Sequence, residues 1–301
     1  MSINDRWVQY IKTGVAEASK TPRIRKKDKI LAMGSCFAVE IRKALIANSH
    51  NLLPKDPPGF MENFGRWYTP RSIEQEVLLA FGEISRDDRD LWRTKDNKIW
   101  QDPYRKFVFA ESKDEIRKKI KSHDKIMKNA FLNADTFIFT MGLTEAWSSK
   151  DSGMAFCIEP ISRKDIKTNK NKITPLDVNN IIHNAEFTRM NYTMCLKSMD
   201  NIAKTIKKHR PNANIVMTTS PVPLKKTYRK DVDVSVANCE SKSMIRAAMA
   251  EAVCRNDNVF YFPSYETVTF LGKEAFRPDR RHVLSSVVET IMKKFLDNCN
   301  G

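Results

Sequence analysis

Long apolar runs are missing from this sequence of 301 residues: none approaches the roughly 18 residues that a membrane-spanning helix needs. The first residues also lack the apolar stretch of a secretory leader. The six cysteines form no Cys-x-x-Cys pair, and no Cys/His cluster has the spacing of zinc ligands. We therefore expect a cytoplasmic protein with reduced thiols, no membrane span, and no metal or other cofactor.

Acidic residues are too few to balance the basic ones: 36 Asp and Glu stand against 52 Lys and Arg, and the net charge is +16. Such a charge can attract a polyanion. The basic residues, however, are spread along the whole chain and lack the interleaved aromatic residues of a nucleic-acid-binding module. We therefore expect no nucleic-acid partner, and an acidic polysaccharide is the polyanion that stays a candidate.

The pattern of apolar residues predicts an α/β fold. Hydrophobic residues make up 41% of the chain, as in a globular protein. Short apolar segments predict parallel strands buried on both faces at 30–33, 136–141, 214–219 and 258–262. Apolar residues at helical spacing predict helices at 36–48, 70–82, 112–131, 177–208, 236–254 and 283–297. Because strands and helices alternate, we expect a doubly wound sheet.

Polar stretches interrupt this alternation near 50–110 and 148–176. The first begins as a proline-rich loop over 50–69 and continues with short hairpins at 91–92 and 99–100. In α/β folds, loops beyond the carboxyl ends of the strands shape the ligand site. Because the sequence shows no internal repeat and no low-complexity linker, we expect residues 1–301 to form a single domain with two excursions.

The clearest functional signal is the junction between the first strand and the first helix. Gly34 stands where the strand must turn, and Ser35 is a good N-cap for the helix that follows. Cys36 then falls in the first helical turn. Free backbone N–H groups and the helix dipole there favour a thiolate and can stabilise an oxyanion. Cys36 is thus a candidate nucleophile, although a cysteine can equally be a core residue.

A second candidate lies in the loop before the last helix. Asp279 and His282 are three residues apart, so both side chains can face one direction in a turn. A carboxylate that binds one imidazole nitrogen fixes the tautomer and leaves the other nitrogen as a general base. The alternative is that Asp279 only caps the following helix.

Two further segments offer groups that could contact a substrate. Asn63 and Gly65 follow the proline-rich loop, where a glycine can bring a backbone N–H close to a ligand. Gly142, Thr144 and Glu145 directly follow the second predicted strand and would lie at its carboxyl end. Structural roles compete with this interpretation, because asparagine forms turns and Thr144 could cap a helix that has Glu145 in its first turn.

Several segments together resemble the GSCFA family, whose name spells residues 34–38 of this chain. The resemblance covers most of the sequence. It is carried by Gly34-Ser35-Cys36-Phe37-Ala38, Asn63-Phe64-Gly65, Tyr68-Thr69-Pro70, Ser72-Ile73, Phe139-Thr140-Met141-Gly142-Leu143-Thr144-Glu145-Ala146-Trp147, Thr219-Ser220-Pro221-Val222-Pro223, Asn238, Ser241-Lys242-Ser243, Tyr261-Phe262-Pro263-Ser264-Tyr265-Glu266, Asp279 and His282.

The resemblance implies an SGNH-hydrolase type of fold, a flavodoxin-like three-layer sandwich with a central parallel sheet of about five strands. That superfamily carries a Gly-Asp-Ser turn after its first strand, an oxyanion donor set in later blocks, and an Asp-x-x-His near the C-terminus. Aligning the first glycines puts Cys36 at the position of the nucleophilic serine, and Ser35 at that of the aspartate. Where the superfamily has Gly-x-Asn-Asp, this chain has Gly142-Leu143-Thr144-Glu145, so Thr144 occupies the position of the amide donor.

These implications lead to an acyl-ester hydrolase as the first hypothesis, with a carbohydrate O-deacylase as the favoured kind. Cys36, or else Ser35, attacks the ester, His282 acts as base and then acid, and Asp279 orients His282. Cys36 and His282 are then expected to approach within roughly 3–5 Å. An O-acyltransferase of polysaccharide biosynthesis is the alternative enzyme. A non-catalytic basic protein that binds an acidic glycan or nucleic acid is the alternative of another class.

Overall fold

The computed structural model describes residues 16, 20–55, 60–61, 65–86, 88–94, 96, 98–105, 107–157, 165–167, 173–175 and 177–300. The strands in these ranges are β1 (Lys29–Gly34), β2 (Asn51–Leu53), β3 (Trp92–Arg93), β4 (Trp100–Gln101), β5 (Phe109–Ala110), β6 (Thr136–Met141), β7 (Glu145–Ser149), β8 (Asp165–Lys167), β9 (Ile173–Pro175), β10 (Ala185–Arg189), β11 (Asn214–Thr219) and β12 (Val259–Tyr261). The α-helices are α1 (Cys36–Ala47), α2 (Pro70–Phe81), α3 (Lys113–Asn133), α4 (Val178–His183), α5 (Tyr192–His209), α6 (Val234–Arg255), α7 (Ser264–Leu271) and α8 (Ser285–Asn300).

The centre of the protein is a parallel sheet of five strands in the order β12-β11-β6-β1-β2. Numbered along the chain, these five strands lie in the order 2-1-3-4-5, which is the order of flavodoxin-like folds. In this register Gly34 of β1 and Thr218 of β11 both pair with Thr140 of β6. The prediction of an α/β fold with a parallel sheet of about five strands is confirmed.

Helices cover both faces of the sheet and bury an apolar layer on each side. Ile30 and Ala32 of β1 pack in a cluster with α1, α7 and α8. Leu31 and Met33 point to the opposite face and pack with α2, α3, α5 and α6. This alternation along one strand is what a sheet buried on both faces requires. None of the helices in the described residues has the length and apolar character needed to cross a bilayer.

Two predictions about elements outside the main strands are wrong. The helix predicted at 177–208 is interrupted by β10, which pairs antiparallel with β7, so the stretch forms the short α4 and the separate α5. The strand that pairs with β10 lies about 40 residues earlier in the chain, so the local pattern of apolar residues cannot indicate this pairing. The loop predicted at 50–69 contains β2, an edge strand of only three residues.

Candidate functional site

The carboxyl ends of β1 and β6 mark the edge of the sheet where a ligand is expected. The strand order reverses between these two neighbours, and open α/β sheets bind ligands in the crevice outside such a switch point. Cys36 begins α1 two residues after the end of β1, while Gly142 and Thr144 follow β6. Three residues predicted for the site therefore lie at one edge of the sheet.

The turn between β1 and α1 requires glycine at its first position. Gly34 has φ +137°, and a Cβ there would lie 2.2 Å from the carbonyl oxygen of Thr140. This close approach lets the N–H of Ser35 donate to the Thr140 carbonyl at 3.0 Å and to its hydroxyl at 2.8 Å. The turn is thus fastened to the neighbouring strand just before Cys36.

Ser35 is the N-cap of α1, as the sequence predicts. Its hydroxyl accepts the N–H of Phe37 at 3.3 Å and lies 3.0 Å from the hydroxyl of Thr140. The Ser35 side chain is buried, with 3% of the residue exposed. The Ser35 hydroxyl therefore stabilises the turn between β1 and α1.

We expect Ser35→Ala to lower the free energy of unfolding by about 1 kcal/mol, because the cap of α1 is lost. Part of any acyl-transfer activity should survive, since Cys36 is retained. Urea unfolding of this variant beside Ser286→Ala, which changes an exposed serine of α8, measures the difference. Equal stabilities of the two variants would show that the Ser35 hydroxyl does not cap the helix.

Cys36 differs in its surroundings from the other cysteines. It is half-buried in the first turn of α1, and its Sγ lies 3.6 Å from the hydroxyl oxygen of Tyr68. Cys195 and Cys299 are buried, and burial raises the pKa of each of these thiols to about 12. Cys239 and Cys254 are exposed on α6. Of the six cysteines, Cys36 is the one that follows a sheet strand at the switch point.

The segment 65–69 crosses the ends of β1 and β6. The N–H of Trp67 donates to the carbonyl of Gly34 at 2.9 Å. The carbonyl of Tyr68 accepts the N–H groups of Gly142 at 2.9 Å and Leu143 at 3.0 Å. Gly65 is buried against the Trp67 ring, where a Cβ would lie 3.0 Å from the nearest ring atom. Asn63, the other residue predicted here, lies outside the described residues.

Asp279 and His282 are paired, as the Asp-x-x-His spacing predicts. Nδ1 of His282 lies 2.5 Å from Oδ2 of Asp279. Oδ1 of Asp279 accepts the backbone N–H groups of Arg281 and His282, both at 3.0 Å. The hydrogen bond from the His282 ring, and secondly the two backbone hydrogen bonds, hold the pKa of Asp279 far below its usual range. The carboxylate is therefore ionised at neutral pH, and it directs Nε2 of His282 away from itself.

Two contacts tie this loop to the carboxyl edge of the sheet. Arg277 forms an ion pair with Glu40, one turn after Cys36 in α1, at 3.4 Å. Arg281 donates to the carbonyl of Pro223, in the segment that follows β11, at 3.3 Å. The loop that carries Asp279 and His282 thus contacts α1 on one side and the segment after β11 on the other.

Thr144 and Glu145 have structural partners between β6 and β7, and because Glu145 begins the strand β7, Thr144 does not cap a helix here. The Thr144 hydroxyl is buried and lies 2.8 Å from the hydroxyl of Ser241 on α6. The Glu145 carboxylate accepts the hydroxyl of Thr227 at 2.5 Å and the N–H of Tyr228 at 3.0 Å. These bonds join α6 and residues 227–228 to the start of β7. Direct contact of either side chain with a substrate stays a prediction.

A buried amine lies beneath Gly142. Lys242 of α6 is 1% exposed, and its Nζ donates to the carbonyl of Val222 at 2.8 Å. A Cβ on Gly142 would lie 3.0 Å from this Nζ. Burial, and secondly the charge of Arg281, lower the pKa of Lys242 to about 7. Because Gly142 has no side chain, it leaves room for the buried side chain of Lys242 from α6.

Sequence reasoning assigned no role to Tyr68 or Lys242. Both residues stand inside the family blocks, in Tyr68-Thr69-Pro70 and Ser241-Lys242-Ser243, and this membership was the only signal for them. Within the described residues, no group of three or more His, Cys, Asp or Glu side chains is arranged to hold a metal ion.

The comparisons with known proteins agree with the sequence motifs. No curated protein matches the chain. The family model described as GSCFA family matches residues 29–295, from the first residue of β1 into the last helix, α8. A match of this extent shows the family, and the chain belongs to the GSCFA family.

Proposed function

We propose that this protein is an acyl-ester hydrolase of the SGNH type, with Cys36 as nucleophile, His282 as general base and acid, and Asp279 as the residue that orients His282. Its substrate is a small-molecule or carbohydrate ester, and an O-acetylated or otherwise O-acylated sugar is the preferred class. We propose that it works in the cytoplasm as a single domain.

The pairing of Asp279 with His282 is the observation that carries this proposal. A carboxylate bonded to Nδ1 fixes the tautomer in which Nε2 can accept a proton. Three donors surround the Asp279 carboxylate, namely Nδ1 of His282 and two backbone N–H groups. Such an arrangement holds the imidazole in one orientation and stabilises the imidazolium that forms when His282 takes a proton from Cys36.

The surroundings of Ser35 and Cys36 favour Cys36 as the attacking group. The Ser35 hydroxyl is buried between the N–H of Phe37 and the hydroxyl of Thr140. Cys36 is half-buried at the start of α1, and its own backbone N–H, in the first helical turn, can donate to an oxyanion. A nucleophile must reach its substrate, and only the second of these side chains has exposed surface for that contact.

The proposed reaction proceeds through a thioester. His282 takes the proton of the Cys36 thiol, and the sulfur attacks the carbonyl carbon of the ester. The tetrahedral intermediate collapses, the C–O bond to the alcohol breaks, and the imidazolium gives its proton to the departing alkoxide. Water, deprotonated by His282, then attacks the thioester, so that the acid leaves and the Cys36 thiol is restored.

Exposure of His282 favours water over a sugar hydroxyl as the acyl acceptor. Its side chain is 41% exposed, so water can approach the base that would activate it. An acyltransferase has to keep water away from its acyl-enzyme. The O-acyltransferase of polysaccharide biosynthesis is therefore the second candidate.

Trapping of the acyl-enzyme tests the proposal. The protein is mixed with p-nitrophenyl acetate, quenched in acid and digested, and the peptides are examined by mass spectrometry. We expect an acetyl group on the Cys36 peptide that hydroxylamine removes, because thioesters are cleaved by hydroxylamine. Cys239, which is exposed on α6, is the matched control thiol and should stay unmodified.

Two other outcomes would contradict this proposal. Equal acetylation of Cys36 and Cys239 would indicate unspecific thiol chemistry and favour a non-catalytic binding protein. Transfer of the acetyl group to an added sugar in preference to water would favour the acyltransferase.

A further inference from the structure

Tyr68 contacts the proposed nucleophile directly. Its hydroxyl oxygen lies 3.6 Å from Sγ of Cys36, a distance at which the two groups can share a hydrogen bond. Tyr68 is half-buried, and it belongs to the segment that crosses the ends of β1 and β6. The phenol thus contacts Cys36 from the segment that precedes α2, which is a different part of the structure from the loop that carries His282.

The backbone of Tyr68 is held from both sides. The N–H of Trp67 donates to Gly34, and the carbonyl of Tyr68 accepts two N–H groups from the 142–143 turn. Thr69 is the N-cap of α2 in a reciprocal cap, in which its hydroxyl accepts the N–H of Ser72 at 3.1 Å. A side chain on such a segment is preorganised, which is what electrostatic stabilisation of a transition state needs.

The usual side-chain donor for an oxyanion is engaged elsewhere in this protein. Thr144 stands at the position where the related superfamily carries an asparagine, but its hydroxyl is buried against Ser241. A hydrolase of this type needs a further donor beside the backbone N–H of Cys36, because the N–H groups of Phe37 and Ala38 are bonded to Ser35. The Tyr68 hydroxyl is a donor of the required chemistry next to the reacting sulfur.

We propose that Tyr68 is a catalytic residue whose hydroxyl donates a hydrogen bond first to the Cys36 thiolate and then to the oxyanion of the acyl ester. This role rests on the function proposed above. When the sulfur attacks, the S–C bond forms and the carbonyl π electrons move to the oxygen. The Tyr68 O–H then shifts its hydrogen bond from the sulfur to that oxygen, and the Tyr68 proton stays on the phenol throughout. The bond returns to sulfur when the thiolate leaves in the second step.

Tyr68→Phe tests this role because it removes only the hydroxyl and keeps the ring and the backbone bonds. We expect kcat for p-nitrophenyl acetate to fall about 100-fold with little change in KM, since loss of one oxyanion donor typically costs 10²–10³ in kcat. Tyr192→Phe, on the exposed start of α5, is the matched control and should retain wild-type kcat.

A second measurement separates a catalytic from a structural role. The rate of alkylation of Cys36 by iodoacetamide is followed as a function of pH in both variants, with thermal unfolding as the check on folding. Loss of a donor to the thiolate should move the midpoint of this profile to higher pH in Tyr68→Phe only. A hydroxyl that merely fills space would leave the profile unchanged.

The outcomes are distinguishable from those of the proposed function. Wild-type kcat together with a wild-type alkylation profile in Tyr68→Phe would overturn the role of Tyr68 while the hydrolase stands. Absence of any acyl adduct on Cys36 in the wild-type protein would overturn the hydrolase and this role with it.

Discussion

Replacement of Cys36 by alanine is expected to abolish turnover of an activated acyl ester, with a loss of about 10³-fold or more in kcat, because the group that forms the covalent intermediate is removed. The fold should survive. The Cys36 side chain is only half-buried, and the turn before it is held by Gly34 and Ser35 rather than by the thiol. Steady-state hydrolysis of p-nitrophenyl acetate, with far-ultraviolet circular dichroism as the check on folding, measures both effects.

The matched control for this variant is Cys239→Ala, which removes an exposed thiol of α6 and should leave turnover unchanged. The comparison with Ser35→Ala decides which residue attacks. Turnover that survives Cys36→Ala and disappears in Ser35→Ala would show that the alignment on the Gly-Asp-Ser turn is one residue out.

Lys242→Met is expected to change how stability depends on pH. Burial lowers the pKa of Lys242 to about 7, whereas a lysine in the unfolded chain titrates near 10.5. Between these values the unfolded chain binds a proton that the folded protein releases, so the free energy of unfolding rises with pH. The wild-type protein should therefore gain up to about 3 kcal/mol relative to Lys242→Met between pH 7 and pH 10.

Urea unfolding of both proteins at several pH values across this range gives the difference directly, since all other titrating groups cancel in it. Lys204→Met, which changes an exposed lysine of α5, is the control and should follow the wild-type profile. Lys242→Met also removes the hydrogen bond from Nζ to the carbonyl of Val222. The free energy of this bond shifts the stability of the variant by the same amount at every pH, so it does not change the slope of the difference. A constant difference between wild type and Lys242→Met would show that Lys242 stays protonated in the folded protein.

The main strands could be predicted from the sequence because they are buried on both faces. The bounds of β6 and β11 coincide with the segments predicted at 136–141 and 214–219, which carry no charged residue and have consecutive apolar residues, as expected where both sides of a strand face a core. The edge strand β2 has three residues inside a proline-rich segment, which is too short for a recognisable pattern. Its position depends on pairing with β1, a contact that local sequence does not express.

The failed helix prediction at 177–208 has the same physical origin. Residues 185–189 carry no strong strand signal of their own, and they are extended because they pair with β7. Phe187 also contacts the ring of Trp147 on that strand, with 5.2 Å between the ring centroids. The helical pattern of the residues before and after β10 suggests one continuous helix, but the tertiary contacts of β10 with β7 make residues 185–189 a strand.

In the candidate site, too, local contacts could be predicted from the sequence and long-range contacts could not. Its local parts, the Gly34 turn and the Asp279–His282 pair, could be predicted because the interacting residues are within three positions of one another. The contact between Tyr68 and Cys36 joins residues 32 positions apart, and it depends on how segment 65–69 crosses two strand ends. The contact of Lys242 with Gly142 also depends on the fold, because α6 brings together residues that are far apart in the sequence.

The proximity of Cys36 and His282 is the central claim, and cross-linking with 1,3-dibromoacetone tests it most directly. The reagent alkylates a thiolate with one arm, and its second arm can react with an imidazole nitrogen within a few ångströms. We predict that peptide mapping finds Cys36 joined to His282 through one reagent molecule, and that His282→Ala gives only the singly attached product. Alkylation of Cys36 in the wild-type protein with the second arm hydrolysed or attached elsewhere would contradict a shared Cys36–His282 site.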